Sequence, residues 1–293
     1  MRPRSDTIAG WLFCSPWLIG GTVFLLLPMG MSFYYALTDY PLLKPPVFVG
    51  LDNFVELFHD DRFWLTVKNT AVYAAVFIPL SVVFSLGLAA MLCAKGLRFS
   101  RLFLAAIFVP TLVPMVASGM LWYWLFNGKF GLVNTILTTI GITGPNWLED
   151  ARTAIPALIV TSLWGVGQSV VIYVAALQEV PEQLYEAAEI DGMSSLRKFW
   201  SVSMPMVSPA ILFNVITLLI GTLQVFAIPY ILFRNERGQR NEGYFYTMYL
   251  YDNAFVYQKM GYASAMAWIQ LLVVLMLTGV MLWASKKLVH YRA

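Results

Sequence analysis

The stretch NTAVYAAVFIPLSVVFSLGLAAMLCA, residues 69–94, carries no charged side chain. It is longer than the roughly 20 apolar residues that an α-helix needs to cross the hydrocarbon core of a bilayer. A strand of a membrane β-barrel would instead be about ten residues long and would alternate apolar with polar side chains. The stretch therefore predicts a transmembrane α-helix.

Five further uncharged runs share this character, and helices are the remaining way to satisfy the backbone in lipid. The run 199–233 is too long for one span, and Pro205 and Pro209 predict that its membrane helix begins near Ser208. We predict an all-α membrane protein of six transmembrane helices that forms one domain, residues 1–293. The predicted spans are about residues 10–38, 69–94, 102–127, 153–178, 208–233 and 260–285.

The composition agrees with a chain that has lipid as its solvent. Of 293 residues 59% are hydrophobic and 12% charged, about half the charged fraction of a soluble domain. The net charge is +3 without a basic cluster interleaved with aromatics, so no nucleic acid partner is expected. Cys14 and Cys93 lie in apolar runs far from any histidine or acidic cluster, so neither a disulfide framework nor a metal site is expected.

The positions of the basic residues predict that both termini are cytoplasmic. In this orientation the inside segments are the shorter ones and hold slightly more of the basic residues: Arg2, Arg4, Lys95, Arg98, Arg101, Arg197, Lys198, Lys286, Lys287 and Arg292. The bias is moderate, since the last outside loop contains Arg234, Arg237 and Arg240. The first apolar run is too long for the core of a secretory signal, so we expect an uncleaved first helix.

The inside segment 179–205, between the fourth and fifth spans, differs from the rest because it is charged and rich in helix formers. Pro181 and Glu182 are typical of a first helical turn, and Gly192 is typical of a helix end. Ser194 or Ser195 can cap a second short helix. Small alanines beside Glu186 would let another protein surface approach the backbone closely, as a docking element requires.

The residues Glu186-Ala187-Ala188, Gly192, and Val202-Ser203-Met204-Pro205 resemble the EAA loop of the inner-membrane permease subunits of ABC importers. The spacing matches throughout, with Val202 and Met204 in place of the usual Ile and Leu. The resemblance implies a coupling helix that contacts a cytoplasmic ATPase through Glu186, Ala187, Ala188, Gly192, Val202 and Pro205. An amphipathic helix on the membrane surface is the alternative, but it leaves the spacing of Gly192 and Pro205 unexplained.

Other motifs resemble the sugar branch of these permeases, in particular the first of the two permeases in such a system. They are Gly50-Leu51-Asp52-Asn53-Phe54, Gly131-Leu132-Val133-Asn134, Ile190-Asp191-Gly192 and Gly261-Tyr262-Ala263-Ser264-Ala265. The outer loop 234–243 departs from the family, which commonly shows a Gly-Gly-Pro turn there.

The resemblance implies partners in the cytoplasmic membrane of a bacterium or archaeon. They are a second homologous permease, two cytoplasmic ATP-binding cassette subunits that hold ATP and Mg²⁺, and an extracytoplasmic solute-binding protein. This chain has no phosphate-binding Gly-Lys-Ser/Thr loop, since Gly128-Lys129 is followed by Phe130. We therefore expect no cofactor in the chain itself, and a transport subunit rather than an enzyme.

Three other classes of membrane protein are less well supported. A secondary transporter usually places ionisable residues within its spans, and the predicted spans contain none. An ion channel needs a charged ring or a carbonyl filter, and neither is apparent. A membrane enzyme needs a catalytic constellation, whereas His59 and His290 lie far apart in the sequence and outside the spans.

A passage for a sugar should offer uncharged polar and aromatic side chains. The candidates are Trp164, Gln168 and Tyr173 in the fourth span, and Asn214, Thr217, Gln224 and Tyr230 in the fifth. Each is as well explained by a hydrogen bond that holds helices together. The expected cargo is a di- or oligosaccharide, and a polyol or glycerol 3-phosphate remains the alternative.

Overall fold

The structure is a computed structural model that describes residues 3–94, 96–233 and 242–288. Arg2, Lys95, Arg292 and residues 234–241, on which part of the predicted orientation rests, lie outside the described residues. Two compact units are present: one comprises the chain up to Phe63 together with Tyr249–Leu272, and the other comprises Trp64–Met248 together with the chain from Val273. A single domain stays a prediction.

The described residues are predominantly helical. The α-helices are α1 Pro3–Gly21, α2 Leu27–Ala36, α3 Asp52–His59, α4 Asp61–Leu92, α5 Ser100–Phe108, α6 Met115–Leu125, α7 Leu132–Thr139, α8 Ala154–Trp164, α9 Gly167–Gln178, α10 Glu182–Ile190, α11 Ser195–Lys198, α12 Met204–Leu223, α13 Ala227–Leu232, α14 Tyr246–Tyr251 and α15 Met260–Leu288. Segments Thr22–Leu26, Phe199–Ser203 and Asp252–Val256 are π-helical, and Val109–Leu112 is a 3-10 turn. Strands β1 Thr38–Asp39 and β2 Val47–Phe48 pair antiparallel.

Four helical stretches are long and apolar enough to cross a membrane: Ala9–Ala36, Asp61–Leu92, Ser195–Leu232 and Met260–Lys286. Two predicted spans are bent instead. Helix α6 turns 96° away from the stretch Ser100–Leu112, and α9 turns 52° away from α8. The described chain therefore has four candidate spans, or six if each bent pair crosses as one.

Two helices begin earlier than predicted. Helix α4 starts at Asp61 rather than near residue 69, and its 32 residues are more than a bilayer core requires, so its charged first turns project beyond the lipid. Helix α12 starts at Met204 rather than near Ser208, because Pro205 lies in the first turn, where a proline needs no hydrogen-bond partner.

Serine hydroxyls repair the helical hydrogen bonds that two prolines remove. Pro209 has no N–H to donate to the Pro205 carbonyl, and the Ser208 hydroxyl donates to that carbonyl at 2.6 Å. Likewise the Ser15 hydroxyl donates to the Leu12 carbonyl at 2.8 Å, four residues before Pro16. A hydroxyl that donates in place of the missing N–H lets a membrane helix tolerate proline. Helices α1 and α12 therefore continue past prolines that would be expected to end them.

In the first unit, two of the sugar-branch motifs meet at Thr38. The Asn53 amide donates to the carbonyls of Ala36 and Thr38 at 2.9 and 2.8 Å. A Cβ on Gly261 would lie 2.0 Å from the Thr38 carbonyl oxygen, so only glycine fits. These two motifs therefore hold the ends of α2, α3 and α15 together.

The same unit contains a carboxylate held by two phenols. The Asp60 carboxylate accepts hydrogen bonds from the hydroxyls of Tyr249 and Tyr262, the latter at 2.7 Å. Burial alone would raise the pKa of Asp60, but these two bonds and the backbone N–H groups of Arg62 and Phe63 outweigh it and lower the pKa below 3.8. Burial, reinforced by the Asp60 contact, raises the pKa of Tyr249 to about 12.

The second unit contains most of the helical bundle. One buried cluster surrounds Val170, Tyr173 and Val207 and joins α4, α9 and α12. A smaller cluster comprises Ala74, Ile78 and Leu219. The first cluster therefore packs α9 beside α12, and both clusters join α4 to α12.

Candidate functional site

Three helices of the second unit are interrupted around one cavity. The interruptions lie between the 3-10 turn and α6, between α8 and α9, and between α12 and α13. Val113, Gly165 and Val225, one from each interruption, all line the cavity. Helix ends leave backbone N–H and C=O groups without helical partners, and broken helices build the substrate sites of many transporters.

The cavity has a volume of about 580 Å³, within the roughly 300–1,000 Å³ of small-molecule sites. Its lining includes aromatic rings, hydroxyls and two side-chain amides, and none of the described lining residues is charged. It therefore offers neutral hydrogen-bonding groups and ring faces.

Four of the seven predicted pathway residues line this cavity: Trp164, Gln168, Thr217 and Gln224. Gln168 lies in the first turn of α9, and Gln224 follows the last residue of α12. Each amide can donate and accept hydrogen bonds. The helix interruptions thus expose two glutamines at one level of the bundle.

The other three predicted pathway residues are placed differently. Tyr173 and Asn214 are 0% and 3% exposed inside the bundle, where the Ser169 hydroxyl donates to the Asn214 side-chain oxygen at 3.1 Å. Tyr230 lies beside Phe226, with ring centroids 5.0 Å apart. Asn214 therefore joins α9 to α12 by a hydrogen bond, which is the alternative that the sequence left open for it.

The predicted inside segment folds into two short helices, and Gly192 ends the first. Its φ is 69°, in the left-handed region. The Gly192 N–H donates to the Glu189 carbonyl at 3.0 Å, and the Met193 N–H donates to the Ala188 carbonyl at 2.9 Å. These two bonds form a Schellman motif. A Cβ at Gly192 would meet open space, so the backbone conformation alone requires glycine.

The second helix is capped and tied to the first. The Ser194 hydroxyl accepts from the Arg197 N–H at 3.4 Å, so Ser194 rather than Ser195 caps α11. The Lys198 ammonium pairs with the Glu189 carboxylate at 2.8 Å. The Ser194 cap and the Lys198–Glu189 ion pair therefore both stabilise the turn between α10 and α11.

Helix α10 has one attached face and one exposed face. Ala188 is buried, and the hydroxyls of Tyr185 and Ser203 hydrogen-bond at 2.8 Å. Glu186 and Ala187 are exposed, and Ile190 is 87% exposed. Only one of the two motif alanines is thus accessible, and the sequence analysis missed Tyr185 as an anchor and Ile190 as an exposed apolar side chain.

The attached face connects the segment to the cavity walls. Tyr185, Phe199 and Val202 pack against the buried cluster around Val170 and Val207. The same α9 that carries Val170 begins at the cavity with Gly167 and Gln168. A Cβ on Gly167 would lie 2.6 Å from the Ile107 carbonyl oxygen, so α9 also packs closely on α5. Helix α10 is therefore connected by side-chain packing to α9, one of the helices that line the cavity.

The Gly128-Lys129-Phe130 sequence forms a tight turn, not a phosphate cradle. The backbone N–H groups of Lys129 and Phe130 donate to the Asn127 side-chain oxygen at 3.0 and 3.2 Å. These donors are therefore engaged by the chain itself. Among the described residues no group of three His, Cys, Asp or Glu side chains is placed to hold a metal ion.

Residues 81–290 match the family of inner membrane components of binding-protein-dependent transport systems. The chain belongs to this family. Its members are permease subunits of transporters and not enzymes, and the described helices agree with a multi-pass membrane permease.

Two curated relatives are similar over nearly the whole chain. The probable ABC transporter permease protein YesP of Bacillus subtilis is 35% identical, over 99% of this chain and 94% of that protein. The lactose transport system permease protein LacF of Rhizobium radiobacter is 34% identical, over 97% of this chain and 96% of that protein. The resemblance inferred from the motifs is thus confirmed.

One solved structure has the same fold. It is the bacterial alginate ABC transporter in complex with an alginate pentasaccharide-bound periplasmic protein, one chain of which superposes with a TM-score of 0.84, at 20% identity and with 100% of each chain covered. The described residues therefore share the fold of that transporter chain.

Proposed function

We propose that the chain is one permease subunit of an ATP-binding cassette importer for a neutral carbohydrate, with a di- or oligosaccharide as first choice. The observation that carries the proposal is the uncharged cavity at three helix interruptions, in the unit that also holds the α10 segment. The relative LacF is named for lactose transport, which supports the same class of cargo.

The chemistry of the cavity favours neutral cargo over glycerol 3-phosphate. Moving a phosphate from water into a membrane-embedded site costs a large desolvation free energy unless cationic groups compensate it. None of the described lining residues is cationic. A polyol presents hydroxyls without charge and remains the second candidate.

The proposed arrangement has six spans and both termini in the cytoplasm, so that each bent helix pair crosses once and α10 is cytoplasmic. A second homologous permease would complete the passage, and an extracytoplasmic binding protein would deliver the solute. Two cytoplasmic ATPase subunits would hold ATP and Mg²⁺. The system would lie in the cytoplasmic membrane of a bacterium or archaeon, as the family description supports.

The proposed coupling runs through the two faces of α10. The exposed face with Glu186, Ala187 and Ile190 would contact an ATPase subunit, with Gly192 ending the helix at the contact. ATP-driven closure of the ATPases would move α10, and Tyr185 and Val202 would pass this movement to α9 and α12. Pro205 at the start of α12 lets the segment continue into the span without a flexible joint.

Uptake by the complete transporter in proteoliposomes tests the cargo assignment. We expect ATP-dependent uptake of a labelled neutral saccharide from a panel that also contains a polyol and glycerol 3-phosphate. Gln168→Ala should weaken uptake at low solute concentration about 3- to 10-fold, as loss of one hydrogen bond implies. Gln178→Ala, at the exposed other end of the same helix, is the matched control. Uptake of glycerol 3-phosphate alone would contradict the proposal.

A further inference from the structure

Helix α7, between two candidate spans, presents an uncovered apolar stripe. Leu132 and Ile136 are 45% and 55% exposed, and Ile140, which directly follows the last residue of α7, is 65% exposed. At 3.6 residues per turn Leu132 and Ile136 lie about 40° apart around the helix. An exposed apolar stripe of this kind marks a surface that contacts another molecule or a membrane.

The opposite side of α7 is fastened to its own unit. The Asn134 amide donates to the carbonyls of Gly128 and Pro145 at 3.0 and 3.1 Å, and the Trp147 indole donates to the Asn134 side-chain oxygen at 2.7 Å. A Cβ on Gly144 would lie 1.9 Å from that oxygen. These contacts fix the rotation of α7, so the stripe is held facing away from the bundle.

The side-chain hydroxyls of α7 are hydrogen-bonded within the chain. The hydroxyls of Thr135, Thr138 and Thr139 donate to backbone carbonyls of the same segment at 3.0, 2.7 and 2.6 Å. No charged residue occurs from Phe130 to Leu148. By contrast, the other short outer helix, α3, carries Asp52 and Glu56. Helix α7 is therefore compatible with an apolar environment to a degree that α3 is not.

We propose that α7 lies in the outer lipid–water interface, with Leu132, Ile136 and Ile140 inserted among the lipid acyl chains. The helix follows α6, whose last turn carries the exposed Trp124, and tryptophan is enriched at this level of the bilayer. A docking site for a soluble protein would present polar and charged groups around an apolar centre, and the stripe presents none. The occupant is therefore the lipid surface.

Such a helix would fix the depth of α6 and α8 in the membrane, because it is tied to the segment that joins them. Contact of α7 with lipid does not depend on the identity of the cargo. It can be measured separately from uptake.

A nitroxide probe at position 136 tests the proposal in the complete transporter reconstituted in phosphatidylcholine nanodiscs. The probe is attached through Ile136→Cys in a Cys14→Ala, Cys93→Ala background, and power saturation compares collisions with oxygen and with a water-soluble nickel complex. Two control probes define the limits. A probe at Lys129→Cys, on an exposed polar turn, should report water, and a probe at Leu25→Cys, on an exposed apolar helix, should report lipid. We expect oxygen to dominate at position 136, as at position 25.

Two results would overturn the proposal. One is nickel accessibility at position 136 equal to that at position 129, which would mean that the stripe faces water. The other is low accessibility to both reagents that changes when solute-binding protein is added, which would mean protein docking.

A second measurement does not require removal of the native cysteines. Benzoylphenylalanine placed at position 136 should, on irradiation, add the mass of phosphatidylcholine to this chain. A covalent adduct with the partner permease or with the solute-binding protein would contradict lipid insertion.

Discussion

At Gly192 and Gly261 glycine is required for two different physical reasons. Gly192 adopts a φ of 69° in open space, whereas Gly261 lies so close to the Thr38 carbonyl that no Cβ fits. The first reason was visible in the sequence, because a glycine that follows a helical pattern is a local signal. The second was not, because residues 38 and 261 meet only through the fold.

The Gly192→Ala variant tests the role of the left-handed turn. An alanine there costs about 1–2 kcal/mol in backbone strain, which should favour continuation of α10 past residue 191 and lower ATP-dependent uptake several-fold. Gly87→Ala is the matched control. Gly87 lies in α4, an added Cβ there has no neighbouring atom within 4 Å, and uptake should be unchanged. Equal uptake by the two variants would show that the turn is dispensable.

The Asp60→Asn variant tests the phenol-held carboxylate by its pH dependence. The pKa of Asp60 is lowered in the fold, so its contribution to stability is present above pH of about 4 and is lost as the pH falls through the lowered pKa. The variant should unfold at a lower temperature than the parent at pH 7, and the difference should shrink below pH of about 4.

The matched control for Asp60 is Glu56→Gln. Glu56 pairs with Lys259 at 3.1 Å, but both side chains are 57% exposed, and exposed pairs contribute roughly 0–1 kcal/mol. Thermal unfolding of the purified chain should barely change. A larger loss for Glu56→Gln than for Asp60→Asn would refute the assignment.

At the scale of helices, composition predicted where the long apolar helices lie but not where they break. Each apolar run corresponds to a helix or a bent pair, because membrane crossing depends on length and polarity alone. The interruptions at Val113, Gly165 and Val225 leave the apolar pattern unchanged, so composition does not locate them. Of the four predicted pathway residues that line the cavity, Trp164, Gln168 and Gln224 lie within three residues of a break.

The sequence did not predict which face of each helix is buried. Tyr185 and Ile190 sit in the same short helix and both carry a large apolar surface, yet Tyr185 anchors α10 and Ile190 is 87% exposed. Helical spacing groups residues into faces, but the packing of α10 against α9 and α12 decides which face is buried. The two faces make separable predictions.

The variants Ile190→Glu and Tyr185→Ala should fail in different ways. A charge at the exposed apolar position should weaken ATPase binding, so less ATPase should co-purify with Ile190→Glu. Removal of the anchor should leave binding in place but reduce uptake per ATP hydrolysed, because α10 then moves without α9 and α12. Loss of ATPase binding in Tyr185→Ala with retention in Ile190→Glu would reverse the assigned faces.

At the scale of the molecule, the second unit holds both the coupling segment and the cavity, and a continuous buried cluster connects them. The chain lacks a nucleotide-binding sequence, and its predicted spans contain no ionisable residue. In the proposed function the driving force arrives from outside the chain, at the α10 segment. The packing of Tyr185 and Val202 against the cluster around Val170 and Val207 supports a connection from that segment to α9, which begins at the cavity with Gln168.

The most direct test of this account is the access of the cavity from outside as a function of ATP. In the complete transporter in proteoliposomes, a cysteine at Thr217 in the Cys14→Ala, Cys93→Ala background is exposed to an external, membrane-impermeant maleimide. The account predicts that ATP with vanadate, which traps the closed ATPases, increases labelling at position 217 several-fold, and that Ile190→Glu abolishes the increase. Labelling that does not respond to ATP, or that responds equally with Ile190→Glu, would contradict it.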